Sequence, residues 1–291
     1  MDWTLWILLS AVFLALYDLA KKASVRENAV LPVLLGSTIF GCLGFCATLA
    51  ATGAFGAAWA AIDGRVFAIG LAKSAIVATS WIFTFTALRT LPITIATPIR
   101  ASAPALVIAL AFFLYGEVPS WIQGVGMLCV LGGYWAFSWA GKAEGIDFFR
   151  NRAVWCAIAG AFFSACSALW DKYVFQVAKC PVAPTQLVFQ AGLVAVYALC
   201  LVVSRVSGAN ERRFEFRWTI PLVGILLAAA DWLYFTGVAM DGTPISVASL
   251  LRRFSVAITF VLGAVCFHET NLRRKSLALA AIILGIVLLI V

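Results

Sequence analysis

PITIATPIRASAPALVIALAFFLYGE, residues 92–117, decides how this chain is read, because it returns in loose form at residues 244–269 as PISVASLLRRFSVAITFVLGAVCFHE. The two stretches align without a gap, with Pro92 over Pro244, Arg100 over Arg252 and Glu117 over Glu269. Each is a long apolar segment, opened by a proline, closed by a glutamate, with an arginine set inside it. An arginine in such surroundings is costly unless it is paired or lines a water-filled cavity. Two at matching places of two half-chains point to a site shared between internal repeats.

Composition agrees with that reading. Of 291 residues, 64% are hydrophobic and 12% charged, and the mean hydropathy is +1.02. A soluble domain carries about 25% charged and about 45–50% apolar residues, so the excess identifies an integral membrane protein. Met1-Asp2 runs straight into Trp3 without a basic stretch, and the first hydrophobic segment is expected to stay as a membrane helix. The net charge of +8 is read as a topology signal rather than a nucleic-acid footprint, because the basic residues sit mostly in short loops. The eight cysteines lie almost entirely in apolar segments and read as small buried hydrophobes. No metal site and no cofactor is expected.

Apolar runs of about 20 residues, the length that crosses a bilayer core as a helix, fall at about 3–20, 31–52, 65–88, 92–115, 119–140, 153–174, 183–205, 218–239, 244–266 and 272–291. The expected fold class is therefore an all-α integral membrane protein of ten transmembrane helices. Residues 1–141 form a first five-helix repeat, 142–152 a connecting loop, and 153–291 a second repeat. Five is odd, so the second half inserts upside down relative to the first. Tyr17-Asp18 and Trp170-Asp171 echo each other at the ends of spans one and six, as Trp81 and Trp232 do in spans three and eight. Of the 21 Lys and Arg, 14 fall in loops on one side and three on the other. The positive-inside rule makes the basic side cytoplasmic and puts both termini outside.

At this point the chain resembles the drug/metabolite transporter superfamily, specifically its ten-helix EamA-like branch. The resemblance covers nearly the whole chain and rests on the five-plus-five duplication and on the glutamates closing the fourth and ninth segments. YGEVPSWIQGVGMLCVLGG (115–133) is similar to the family's glycine–glutamate, spacer and glycine-rich helix pattern, and Pro104 to the proline within its fourth helix. The second copy departs from it, with His268 in the place of Gly116 and Val256 in that of Pro104. The resemblance implies secondary transport or exchange of small metabolites by alternating access, without ATP, in a cavity lined largely by helices three, four, eight and nine. It also implies cytoplasmic termini for eukaryotic relatives, opposite to the charge count of this sequence.

Arg100 and Arg252 each follow their proline by eight residues, about 12 Å along a helix. Their forked donors suit a carboxylate or phosphate, and they are candidates for an anion clamp. Neutralising a buried acid or snorkelling to headgroups is the competing use. Arg253 points about 100° away from Arg252, so only one of that pair serves a given ligand. Lys73, inside the third span, is a second anion contact or half of an interhelical ion pair. Asp231, inside the eighth, binds a substrate ammonium, carries a coupling proton or neutralises an arginine. Trp81, Trp232 and Tyr234 are candidate cavity walls. Glu117, Glu269, Asp18 and Asp171 stand at helix junctions, where capping, ion pairing or gating accounts for them.

The expected function is a secondary transporter in the cytoplasmic (inner) membrane moving a small anionic or zwitterionic metabolite, as a monomer or homodimer, with a proton or counter-substrate as coupling partner. A flippase for a lipid with a phosphate headgroup, or an amino-acid or drug exporter, is the alternative. The expected partners are thus a small carboxylate- or phosphate-bearing solute and membrane lipid, without nucleic acid. No catalytic residues are assigned: the sequence has no HExxH, DxxxD, GxSxG or Walker loop, and an enzyme is not expected. A channel is disfavoured because no repeated filter loop interrupts the spans.

Overall fold

A computed structural model describes residues 2–25, 28–90, 103–116, 118–140, 152–207 and 213–255, together with scattered residues from 258 to 288. The described residues hold helices and connections only. In chain order the helices are α1 (Trp3–Val25), α2 (Val30–Ala51), α3 (Phe55–Ala60), α4 (Gly64–Thr90), α5 (Ala103–Tyr115), α6 (Trp121–Ala140), α7 (Arg152–Lys172), α8 (Val182–Val206), α9 (Thr219–Ala239) and α10 (Ile245–Arg252). A π-helical turn, Tyr173–Val177, continues α7.

Six of these helical stretches are long and apolar enough to cross a membrane: Trp3–Val25, Val30–Ala51, Gly64–Thr84, Arg152–Val177, Val182–Val206 and Thr219–Ala239. They correspond to expected spans one, two, three, six, seven and eight. The fifth appears as α6, with a shorter apolar core at Trp121–Gly133. Spans four, nine and ten lie partly outside the described residues, as does the loop 142–152 apart from its last residue. The short helix α3 was not anticipated, since six residues between two long apolar runs carry no readable period.

Around the helices the apolar character has no polar side, which is the mark of a helix buried in protein on one face and lipid on the other. On α1, Leu5, Leu9, Val12 and Leu16 form an exposed stripe, while Ile7, Ala11 and Ala15 are fully buried. With lipid outside, burial of apolar area does not pull helices together; close backbone approach and interhelical hydrogen bonds do.

The chain forms two compact units, each assembled from both halves of the sequence: Met1–Ala78 with Tyr173–Asp241, and Thr79–Lys172 with Gly242–Val291. In the first unit α2 crosses α9 through glycines. A Cβ on Gly41 would stand 2.7 Å from the Gly224 carbonyl oxygen, and one on Gly224 would collide with the Ser37 carbonyl. Ser10 Oγ donates to the Ala230 carbonyl (2.7 Å), Ser74 Oγ to that of Phe189 (2.8 Å) and Gln186 Nε2 to that of Ala228 (2.7 Å). These bonds join α1 to α9, α4 to α8 and α8 to α9.

In the second unit Ser80 Oγ donates to the Gly160 carbonyl (2.8 Å) and the Tyr115 hydroxyl to that of Leu169 (2.9 Å). The Lys172 ammonium lies 4.5 Å from the Tyr115 ring centroid. The glycine of the Gly116-Glu117 pair has φ +64° and its N–H donates to the Phe112 carbonyl at 3.1 Å. That left-handed stop ends α5, a geometry in which glycine is the cheapest residue.

Candidate functional site

Polar groups inside apolar helices are where function is sought in a membrane protein, and the first unit holds a cluster of them. Lys73 on α4 is 2% exposed and Asp231 on α9 is 8% exposed. The Lys73 ammonium stands 4.9 Å from the ring centroid of Phe189 and 4.3 Å from that of Phe235. Both are within the range of cation–π attraction, which strengthens as water is removed. Phe235 is fixed in turn by Phe175, at 5.1 Å, and Phe189, at 6.0 Å. The Lys73 charge is thus set over two phenylalanine rings.

Phe189 also lines a cavity of about 20 Å³ together with Ser37 and Thr38 on α2, Gln190 on α8 and Asp231 on α9. That is room for a single water-sized group, far below the several hundred Å³ of a metabolite pocket (about 300–1,000 Å³). In this conformation the polar side chains are packed closed. The hydroxyl of Ser37 donates to the Leu34 carbonyl and that of Thr38 to the carbonyls of Leu34 and Leu35, at 2.9–3.0 Å. Their protons are therefore spent within α2, and what they offer the cavity is lone pairs. Gln190 is 6% exposed, and its Oε1 is buried without a hydrogen-bond donor. The Oε1 of Gln186, one turn earlier and fully buried, is in the same condition. Such carbonyls cost about 1–3 kcal/mol each when they go unmatched. A group that brings donors to this side of Asp231 recovers that cost.

The sequence-based candidates separate by unit. Lys73, Asp231, Trp232, Tyr234 and Asp18 belong to the first, and Phe189 is common to the surroundings of Lys73 and Asp231. Trp232 packs against Phe45 at 5.3 Å, beside the cluster of Phe45, Leu49, Ala58, Leu187 and Ala228, and does not line this cavity. Tyr234 is buried with its ring 5.9 Å from that of Phe235. Asp18 is half-buried on α1. Trp81, Asp171 and Arg252 belong to the second unit: Trp81 half-buried on α4, Asp171 buried near the end of α7, Arg252 half-buried at the end of α10. Arg100, Glu117 and Glu269 lie outside the described residues. Gln186 and Gln190 were missed by the sequence reading, although two glutamines a helical turn apart in QLVFQ, inside an apolar span, were a signal that could have found them. Among the described residues no group of three or more His, Cys, Asp or Glu is placed to hold a metal ion.

At the end of this unit that carries the α2–α4 connection, Asp63 Oδ1 accepts from the Val66 N–H at 2.7 Å and caps α4. Burial pushes the Cys180 thiol above its ordinary value, and the charge of Arg65 partly offsets this. Lys179 forms an ion pair with Asp241, whose carboxyl is held below the usual carboxylate value by that hydrogen bond and charge.

None of the curated proteins matches this chain in sequence. A solved crystal structure superposes on it with a TM-score of 0.72 at 19% identity, covering 98% of this chain and 94% of its own. At that identity the likeness speaks for the fold alone. The model of the EamA-like transporter family matches residues 1–139. With several helices long and apolar enough to cross a bilayer, the chain is a multi-pass membrane protein whose residues 1–139 are similar to the EamA-like transporter family.

Proposed function

We propose that this protein is a secondary transporter that moves a small anionic or zwitterionic metabolite by alternating access, without ATP. The observation that carries the proposal is the burial of both Lys73, over the Phe189 ring, and Asp231, which lines a cavity with Phe189. One buried cation and one buried acid stand in the same membrane-embedded unit, together with glutamine carbonyls that have no donor. Nothing in the packing of an inert helix bundle requires this collection, and each member carries a desolvation cost. A carboxylate or phosphate suits Lys73 in the first unit, and Arg100 and Arg252 are proposed anion contacts in the second. A donor group on the same solute suits Asp231 and Gln190. Trp81 and Tyr234 are proposed walls of the passage, with Asp18, Asp171, Glu117 and Glu269 at its helix junctions.

The proposed architecture is ten transmembrane helices in two inverted repeats, residues 1–141 and 153–291, in the inner membrane with the termini outside. Support comes from the way the compact units draw on the sequence. Spans two and seven, which the duplication pairs, both fall in the first unit, while spans four, five, nine and ten fall in the second. Spans one and six fall in different units and span three is divided between them, so the support rests on the second, fourth, fifth, seventh, ninth and tenth spans.

The test is uptake or exchange in proteoliposomes loaded with anionic and zwitterionic metabolites, chosen by thermal-shift screening of the purified protein. Lys73→Met, Arg100→Ala and Arg252→Ala are each expected to reduce transport by at least about tenfold, the loss of one charge-assisted contact of about 1.5–3 kcal/mol, while unfolding midpoints stay close to that of the parent. Unchanged kinetics in all three variants would sink the anion-clamp reading.

A further inference from the structure

The first unit ends, at the side carrying the α1–α2 and α8–α9 connections, in a short ribbon that no transport role uses. Arg213-Phe214-Glu215-Phe216-Arg217-Trp218 places three aromatics and two arginines in six residues, and its first five residues are not helical. Its backbone is held by one buried side chain. Asn28, 4% exposed, accepts from the N–H groups of Glu215 (2.9 Å) and Ala29 (2.8 Å) through Oδ1. Through Nδ2 it donates to the carbonyls of Glu215 (2.7 Å) and Ser24 (3.1 Å). Arg217 adds a bond to the Ala23 carbonyl (2.8 Å) and a contact with the Glu215 carboxylate (3.1 Å). Ser24 Oγ donates to Thr219 Oγ1 (2.6 Å).

With its backbone fixed from within, the ribbon turns its rings outward. Phe214 is 46% exposed, Phe216 53% and Trp218 85%, and Phe216 meets Trp218 edge-on at 5.6 Å. The position of these rings along the helices is informative. Trp218, Leu222 and Ile225 are spaced i, i+4, i+7 and all exposed, so Trp218 tops the lipid-facing stripe of α9. The stripe of α8, Leu199, Val202, Val203 and Val206, runs out at the same end. Aromatic rings at the end of an apolar stripe stand at headgroup level, where one edge is apolar and the other wet. Arg205 and Arg213 are exposed beside them, and the two connections, 21–29 and 205–217, carry seven Lys and Arg against three Glu.

We infer that the Asn28-clamped ribbon Arg213–Trp218 is a docking surface for the anionic phospholipid leaflet. Phe214, Phe216 and Trp218 seat in the glycerol and upper acyl region, and the guanidinium forks of Arg205 and Arg213 take lipid phosphates. An acidic soluble protein fits less well, because the rings continue the stripes that hydrocarbon already covers. The inference stands apart from the transport reading and does not depend on any substrate.

Two measurements test it on the full-length protein in nanodiscs of phosphatidylcholine, alone or mixed with phosphatidylglycerol. The anionic lipid is expected to raise the unfolding midpoint of the parent and to have little effect on the double variant Arg205→Gln, Arg213→Gln, which leaves the structural Arg217 intact. An equal rise in both, or none in the parent, overturns the phosphate contact. A fluorophore attached at Phe214→Cys, or at Trp218→Cys should the first fold poorly, is expected to be quenched by lipids spin-labelled near the headgroup far more than by aqueous iodide. Quenching dominated by iodide overturns the membrane docking and leaves a soluble partner as the occupant.

Discussion

At the scale of single residues, the informative feature is a mismatch between donors and acceptors inside an apolar unit. Ser37 and Thr38 spend their hydroxyl protons on their own helix, and Gln186 spends its amide N–H on Ala228. What is left over around Asp231 is acceptor capacity. A structural role and a binding role for Gln190 predict opposite things. Replacing an orphaned buried carbonyl by an isosteric apolar group is neutral or stabilising, because about 1–3 kcal/mol of desolvation cost disappears. Gln190→Leu is therefore expected to leave the unfolding midpoint unchanged or raised while weakening apparent substrate affinity in proteoliposomes. A fall in midpoint with transport kinetics unaltered would mark Gln190 as a packing residue instead. Lys73 shows how residue type and surroundings are separate facts: its position in an apolar span was legible, but the phenylalanine surroundings come from α8 and α9.

At the scale of helices, the architecture depends on backbone approach. The α2–α9 crossing is close because Gly41 and Gly224 face each other without a Cβ between them. Interfaces of this kind replace the hydrophobic driving force that lipid removes. Gly224→Val is expected to force α2 and α9 apart and lower stability by at least about 1–3 kcal/mol, the cost of overpacking. Gly56→Ala on α3, where an added Cβ meets nothing within 4 Å, serves as the control. Thermal unfolding in detergent reads both, and equal midpoints would remove the glycine crossing as a determinant. The glycines of α2 were visible in LLGSTIFGCLGF as small residues among large ones, yet nothing local named α9 as their partner. The π-helical turn at Tyr173–Val177, where the first unit resumes after α7, was not legible either, since its hydrogen-bond pattern leaves no composition signature.

At the scale of the whole molecule, the connections sort into two ends of the first unit. Asn28 and Arg217 bind the α1–α2 and α8–α9 connections together, and Lys179 joins the connection before α8 to the one after α9. The two connections at the first end are those the charge count assigned to the basic, cytoplasmic side. Ser207→Cys is accordingly expected to resist a membrane-impermeant maleimide in intact cells and to react after permeabilisation, whereas Ala61→Cys reacts in both. The seven described natural cysteines are half-buried or buried, which keeps background labelling low. Reaction of Ser207→Cys from outside would reverse the orientation.

What the sequence determined by itself was the kind of solvent the chain lives in and the run of its main helices. Twenty apolar residues in a row commit a segment to helix in a bilayer, because every backbone N–H and C=O must be satisfied within it. That constraint is local, so α1, α2, α4, α7, α8 and α9 could be placed within a few residues. The choice of partners was decided only in three dimensions. Which helix meets which, that Phe189 stands beside both Lys73 and Asp231, and that Asn28 saturates a ribbon 187 residues away in sequence depend on packing and hydrogen bonds between distant segments. In lipid those contacts carry the specificity that hydrophobic burial supplies in water, and no periodicity along the chain encodes them.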